Sequence, residues 1–280
     1  MPLKVPSALC CMSETVKYRR GGAFLEREKR REREWNENQL EGRNAVLEVL
    51  RSGRDIEKIM VQKGNVEGTI KRIVAQAAEK GVVIQEVSRQ KLDELSQTKN
   101  HQGVIALVSA HDYVEVEDIL AAARAKGEDP FIILLDGITD PHNLGAILRT
   151  AECAGAHGVI IPKRRSVGLN ATVGKTSAGA IEYMPVAKVT NLVKTMEQLK
   201  KEGLWFACAD MGENDHFDTN LKGPIGLVIG SEGEGVSRLV KENCDFTASI
   251  PMYGKISSLN ASVAAALLMY EVVRQRNYSK

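Results

Sequence analysis

Four short apolar runs, at residues 131–135, 159–161, 205–208 and 227–229, constrain this chain more than any other feature of it. A strand that shows water one face alternates apolar with polar residues, whereas one that is apolar throughout needs cover on both faces. Segments of helical periodicity lie between most of these runs and can supply that cover. The C-terminal half is therefore expected to be α/β, with a parallel sheet between helical layers. Ahead of it lies a smaller alternation: an apolar-periodic segment at Ala45, Val46, Val49 and Leu50, a strand at 59–61 and a helical run over 69–80. Residues 82–87, a short helix at 92–95 and a strand at 104–108 complete it. A charged helical stretch over 116–126, closed by Gly127-Glu-Asp-Pro130, reads as a hinge. The expected organisation is a basic extension (1–35), a small α/β domain (38–110), a linker (111–129) and a larger α/β domain (130–280).

With 43% hydrophobic and 26% charged residues the chain is neither fibrous nor disordered. No apolar stretch approaches the roughly 20 residues of a spanning helix, so no membrane partner is expected. The five cysteines are odd in number and lack ligand spacing, which argues against a disulfide framework and against a metal site and suits a reducing cytoplasm. Residues 5–11 are too short and proline-interrupted for a secretory signal. The Asn170 and Asn260 sequons are then idle. A net charge of +2 conceals an uneven distribution, because residues 1–35 hold nine Lys or Arg against five Glu. Such an arm could touch a polyanion, although charge runs of this kind are more often solvated; Met12 offers an alternative start. With two Trp, six Tyr and five Phe, a broad base-stacking platform is not expected.

Three blocks carry chemistry. In the first, residues 135–149 (Leu-Asp-Gly-Ile-Thr-Asp-Pro-His-Asn-Leu-Gly-Ala-Ile-Leu-Arg), a strand end passes into a helix. Asp140 suits the N-cap and Pro141 the first helical position, Leu144, Ile147, Leu148 and Ala151 form a core stripe, and Arg149 falls off it. Ligands of parallel sheets sit beyond the strands' carboxyl ends, which favours residues 136–143 as functional. The second, Ile229-Gly-Ser-Glu-Gly-Glu-Gly235, is a strand running into a glycine turn whose order is not that of a dinucleotide fingerprint. Its Glu232 and Glu234 would repel a phosphate, so a cationic ligand or one bonded through adenine and ribose fits better. Gly168-Leu-Asn-Ala-Thr-Val-Gly-Lys-Thr176 looks like a P-loop but has five residues between the glycines and no strand immediately before it. Lys163, Arg164 and Arg165 form a basic patch after a strand. In the third block, Ile250-Pro-Met leads through Ser257-Ser-Leu-Asn260 into a last helix that Ser257 or Ser258 can cap. That helix is apolar nearly all round from 261 to 270, which points to a second subunit covering its outer side.

Taken in order, Asp-Pro-His-Asn-Leu-Gly with Arg149, Ile-Gly-Ser-Glu-Gly, and Ile-Pro-Met with Ser-Ser-Leu-Asn resemble the three signature motifs of the SpoU/TrmH family of RNA ribose 2'-O-methyltransferases, within the SPOUT superfamily. The resemblance covers 131–276. The small domain is similar to the ribosomal-protein-like RNA-binding domain of the branch that acts on large-subunit ribosomal RNA, where a guanosine is methylated. The resemblance implies a SPOUT-type sheet with a C-terminal trefoil knot, an exception to the rule that chains do not knot. It implies S-adenosylmethionine as cofactor, contacted by Ile229, Gly230, Ile250, Met252 and Leu259. It also implies Arg149 as the catalytic arginine, with Asn143, Glu232, Ser258 and Asn260 orienting it, the ribose and the base. The expected protein is a cytoplasmic homodimer acting on ribosomal RNA. The alternatives are a tRNA methyltransferase of the same family and an RNA-binding or ribosome-assembly protein that has lost catalysis.

Overall fold

The computed structural model describes residues 38–52, 54–64, 68–212 and 215–278. The basic arm at 1–35, with Met12, Cys10 and Cys11, lies outside them. The small domain runs β1 (Gln39–Glu41), α1 (Arg43–Ser52), β2 (Ile56–Gln62), α2 (Thr69–Glu79), β3 (Ile84–Val87), α3 (Arg89–Leu95) and β4 (Val104–Val108). Its sheet has the order β1-β4-β2-β3, with β2 and β3 parallel and the other pairs antiparallel. Val46, Leu50, Ile59, Ile70, Ile73 and Ala106 close the core between the sheet and helices α1 and α2. The Glu41 carboxylate accepts from Gln97 N at 2.6 Å and Ser96 Oγ at 2.7 Å, and from Thr98 and Gln39, so it pins the loop that follows α3.

The large domain carries α4 (Val116–Lys126), β5 (Phe131–Asp136), α5 (Pro141–Cys153), β6 (Gly158–Pro162), α6 (Ala171–Thr176), β7 (Val186–Val189), α7 (Leu192–Lys201), β8 (Trp205–Ala209), β9 (Ile225–Gly230), α8 (Arg238–Glu242), β10 (Phe246–Ala248) and α9 (Ala261–Tyr278). Its sheet has the order β10-β8-β9-β5-β6-β7, and every pairing is parallel. Alternate residues of β5 supply opposite faces, as the uninterrupted apolar runs require. Phe131, Ile133 and Leu135 pack with α5 and α9, while Ile132 and Leu134 pack with α4 and α7. Residues 111–129 are more than a connector. Ile119 and Leu120 of α4 enter the core of the large sheet, and Val114 pairs with Ala187 at its edge.

The end of the chain returns on itself. After β9 it passes α8 on one face, forms β10 at the far edge, and crosses so that α9 packs against β9 and α5 on the other face. The β8–β9 connection holds that return: His216 N donates to Ser249 O at 2.8 Å, Leu221 N to Gln275 Oε1 at 2.9 Å, and Gln275 Nε2 to Thr219 O at 2.9 Å. Arg276 donates to the carbonyls of Asp129, Pro130 and Gly223. The last helix is thereby tied both to the β8–β9 connection and to the start of β5.

Two predictions follow from this packing. A Cβ on Gly158 would stand 2.5 Å from Ile119 Cδ1. Gly158→Ala should therefore cost about 1–3 kcal/mol in urea unfolding, and the double variant with Ile119→Ala should lose less than the two single losses combined. For Glu41, burial raises its carboxyl pKa, but donation from Thr98, Gln97, Ser96 and Gln39 outweighs that and lowers it to about 2 from the usual 4.5. The native pKa lies below the unfolded one, so this contribution is complete above about pH 4.5 and disappears as pH falls toward 2. Unfolding midpoints measured across that window should decline less steeply in Glu41→Gln than in the wild type.

Candidate active site

The three blocks meet at the carboxyl ends of the central strands. At the end of β5, Asp136 Oδ2 accepts from Ser237 N at 2.8 Å, and Gly137 turns the chain at φ +80°. The Asp140 side chain then caps α5 by accepting from His142 N at 2.9 Å, with Pro141 as its first residue. Helix α5 buries Leu144, Ile147, Leu148 and Ala151 together with Asn143 and Gly145. Arg149 is exposed on the opposite side, and its side chain has no hydrogen-bond or ion-pair partner among the described residues.

The turn after β9 closes on itself through paired bonds between Ser231 and Gly235, 3.1 and 3.0 Å long. Gly230 has no room for a side chain, because a Cβ there would stand 2.1 Å from Gly235 C and 2.2 Å from Val236 N. This folded-back turn lifts Glu232 toward α5 and the start of α9. Asn143 Nδ2 donates to Glu232 Oε1 at 2.8 Å, Asn260 Nδ2 donates to Asn143 Oδ1 at 3.0 Å, and Asn260 Nδ2 also donates to Glu232 Oε1. One residue from each block thus enters a single network. Asn260 is also the cap of α9, its Oδ1 accepting from Ser262 N at 3.0 Å and Val263 N at 3.3 Å. This corrects the expectation of Ser257 or Ser258 in that role: only Asn260 stands at the helix start with an oxygen free for the backbone.

Beside the network is a cavity of about 350 Å³, within the roughly 300–1,000 Å³ of small-molecule sites. Ile229, Gly230, Ile250, Met252 and Leu259 all line it, as do Glu232 and Ser258. Arg149, Asn143 and Asn260 are outside its lining. Ala261 and Ala264, on the first turn of α9, leave the space open by their small size. Asp210 and Met211 at the end of β8 also line it, and the sequence reading missed them. The available signal was the rule that ligands gather beyond the carboxyl ends of parallel strands, applied to the run at 205–208. Asp210 is engaged by the Lys241 ammonium, an attraction that raises the Lys241 pKa. Glycine backbone, apolar side chains and nearby carboxylates make a site for a flat heterocycle joined to a cation and a poor one for a di- or triphosphate. The P-loop look-alike forms no such site. Its residues build α6, capped by Asn170, whose Oδ1 accepts from Val173 N at 3.0 Å.

Comparison with known proteins agrees with this geometry. Residues 130–270 match the model of the SpoU rRNA Methylase family, and residues 39–114 match that of the RNA 2'-O ribose methyltransferase substrate-binding domain. A Bacillus subtilis protein assigned to the TrmH family of tRNA/rRNA methyltransferases, YacO, is 52% identical over 238 residues, which is 84% of this chain and 95% of that one. A Staphylococcus saprophyticus protein with the same family assignment is 48% identical over 238 residues, 85% of this chain and 95% of its own. Among solved structures, the SpoU methyltransferase AviRb of Streptomyces viridochromogenes has the same fold at a TM-score of 0.55 and 24% identity, covering 88% of this chain and 97% of its own. The AdoMet-bound rRNA methyltransferase of Sinorhizobium meliloti has a TM-score of 0.54 at 22% identity, covering 92% and 93%. Matched across both of its domains and along most of its length, the chain belongs to the SpoU/TrmH family of RNA 2'-O-ribose methyltransferases.

Proposed function

We propose that this protein transfers the methyl group of S-adenosylmethionine to the ribose 2'-hydroxyl of a guanosine in large-subunit ribosomal RNA, and that it works as a cytoplasmic homodimer similar to the bacterial guanosine methyltransferases of that RNA. The observation that carries the reading is the cavity, whose lining joins Gly230 and Ile229 of the second block to Ile250, Met252 and Leu259 of the third. When bound, S-adenosylmethionine supplies an electrophilic methyl group on a sulfonium. Backbone at Ile229 and Gly230 would hydrogen-bond its adenosine part, and the side chains of Ile250, Met252 and Leu259 would cover the base.

With that cofactor bound, the ribose 2'-oxygen would take the methyl carbon, S-adenosylhomocysteine would leave with the bonding pair of the S–C bond, and the hydroxyl proton would pass to water. Such a transfer depends on alignment and on relief of charge at the developing alkoxide. Arg149 suits that second task, and it can bind the adjacent phosphate bidentately. It does not act as a base, because a guanidinium does not give up its proton in this pH range. Asn143, Glu232, Asn260 and Ser258 orient the ribose and the base. The homodimer is supported by α9, whose exposed Val263, Leu267 and Tyr270 recur at i, i+4 and i+7 and form an apolar stripe. A second reading, methylation of tRNA, draws on relatives whose family is described as acting on tRNA or rRNA.

Arg149→Ala should lower methyl transfer by at least about 100-fold, the scale of a lost charge-stabilising group, with S-adenosylmethionine affinity by calorimetry nearly unchanged. Retained turnover would overturn the assignment. Mapping 2'-O-methyl groups in ribosomal RNA and tRNA from cells with and without the protein separates the two substrates. Light scattering at micromolar concentration should give a dimer for the wild type and a monomer for Leu267→Glu, and a wild-type monomer would exclude the dimer.

A further inference from the structure

The small domain meets the large sheet at a cluster of ionised and polar groups. Glu57 on β2 is ion-paired with Lys188 on β7, and both side chains are largely buried, at 14% and 12% exposure. The Tyr113 hydroxyl donates to Glu57 Oε1 and accepts from Leu169 N at 2.9 Å, and the Lys188 ammonium stands 4.8 Å above the Tyr113 ring. Burial and the Glu57 charge both raise the pKa of the phenol, so it stays a donor. The Glu57 carboxylate fills the space beside Gly168, where a Cβ would stand 1.9 Å from Oε2. A buried ion pair adds little net stability compared with apolar packing, but it penalises any arrangement that separates its members, so it specifies one relative placement of the parts it joins.

From this cluster a short chain of contacts leads to the active-site helix. Gly168 and Leu169 continue into Asn170, the cap of α6. At the other end of α6, Thr176 Oγ1 lies 3.2 Å from Pro141 O, at the first residue of α5, and 2.9 Å from Thr172 O of its own helix, the two carbonyls sharing its one proton. Thr176 also packs so closely on Gly145 that a Cβ there would lie 1.9 Å from Oγ1. Helix α5 carries Asn143 and Arg149. The segment that resembles a P-loop in sequence thus joins the small domain to the first block.

We propose that Glu57, with Lys188 and Tyr113, is a positioning residue for methyl transfer: it latches the RNA-binding domain onto residues 168–176 and so sets where bound RNA meets Arg149. This rests on the functional reading above. RNA bound by an unlatched small domain is held as tightly but presented to the site less often, so the cost falls on kcat rather than on affinity.

The test uses the full-length protein and, as methyl acceptor, deproteinised ribosomal RNA from cells lacking it. Glu57→Gln keeps the shape and removes the charge, and Gly168→Ala displaces the carboxylate. Each should lower kcat at saturating RNA about tenfold, with RNA and S-adenosylmethionine dissociation constants within twofold of wild type. The charge swap Glu57→Lys with Lys188→Glu should recover part of that loss. Unchanged kcat in both single variants would overturn the latch, and so would RNA affinity falling in step with kcat, which would make Glu57 part of the RNA grip or of the small domain's own fold. A wild-type protein that methylates no RNA would instead refute the underlying reading.

Discussion

The bond network of Asn143, Glu232 and Asn260 is the interaction on which the rest of the site depends. Its members are 89, 117 and 28 residues apart in pairs, and each stands at the start of a helix or in a turn that follows a strand. One carboxylate oxygen takes donors from two amides, and one of those amides also donates to the other side chain's oxygen. Of the three only Asn143 is buried, so the costly loss is that of Glu232 or Asn260, which would leave the Asn143 amide short of a partner where water reaches poorly. The network therefore links the start of α5, the turn after β9 and the start of α9, and Glu232 carries it to the lining of the cavity.

The parts of this arrangement that could be read from sequence are those with a local physical signature. Runs such as 131–135 and 227–229 announced covered strands because neither face of β5 or β9 meets water. Asp140 and Pro141 announced a helix start because capping is a matter of adjacent residues. Strands β7 and β10 had no such signature. They are four and three residues long and lie at the sheet's edges, where Lys188 and Thr247 break the apolar run. Asp210 and Met211 were equally hidden: they reach the cavity only because β8 lies between β9 and β10, an order set by the chain's return path. The cap of α9 was misassigned because Ser257, Ser258 and Asn260 are all good caps locally, and the choice among them is made by Asn143 and Glu232, far away in sequence.

Helix α4 shows how a short amphipathic helix imitates a hinge. Its exposed side is charged and its buried side consists of Ile119, Leu120 and Ala123. Yet Ile119 and Leu120 help to complete the second face of the large sheet, and Gly158 on β6 is a glycine because Ile119 occupies the space of its side chain. The connection between the domains is thus built from one domain's core. With Val114 paired at the edge of β7 and Tyr113 bonded to Glu57, little slack separates the last strand of the small domain from the sheet.

The same economy bears on Arg149. In a site with several carboxylates, an exposed arginine tends to collapse onto the nearest acid, and a quenched guanidinium is of little use to a phosphate or a developing alkoxide. Glu232 is tied to α5 through its bond to Asn143, and its Oε1 already accepts from two asparagine amides. Those amides satisfy the carboxylate oxygen on the side of α5, and Glu232 also lines the cavity, while the Arg149 side chain has no partner among the described residues. On the proposed reading, the two charges of the site serve different partners, Glu232 the sulfonium and Arg149 the RNA.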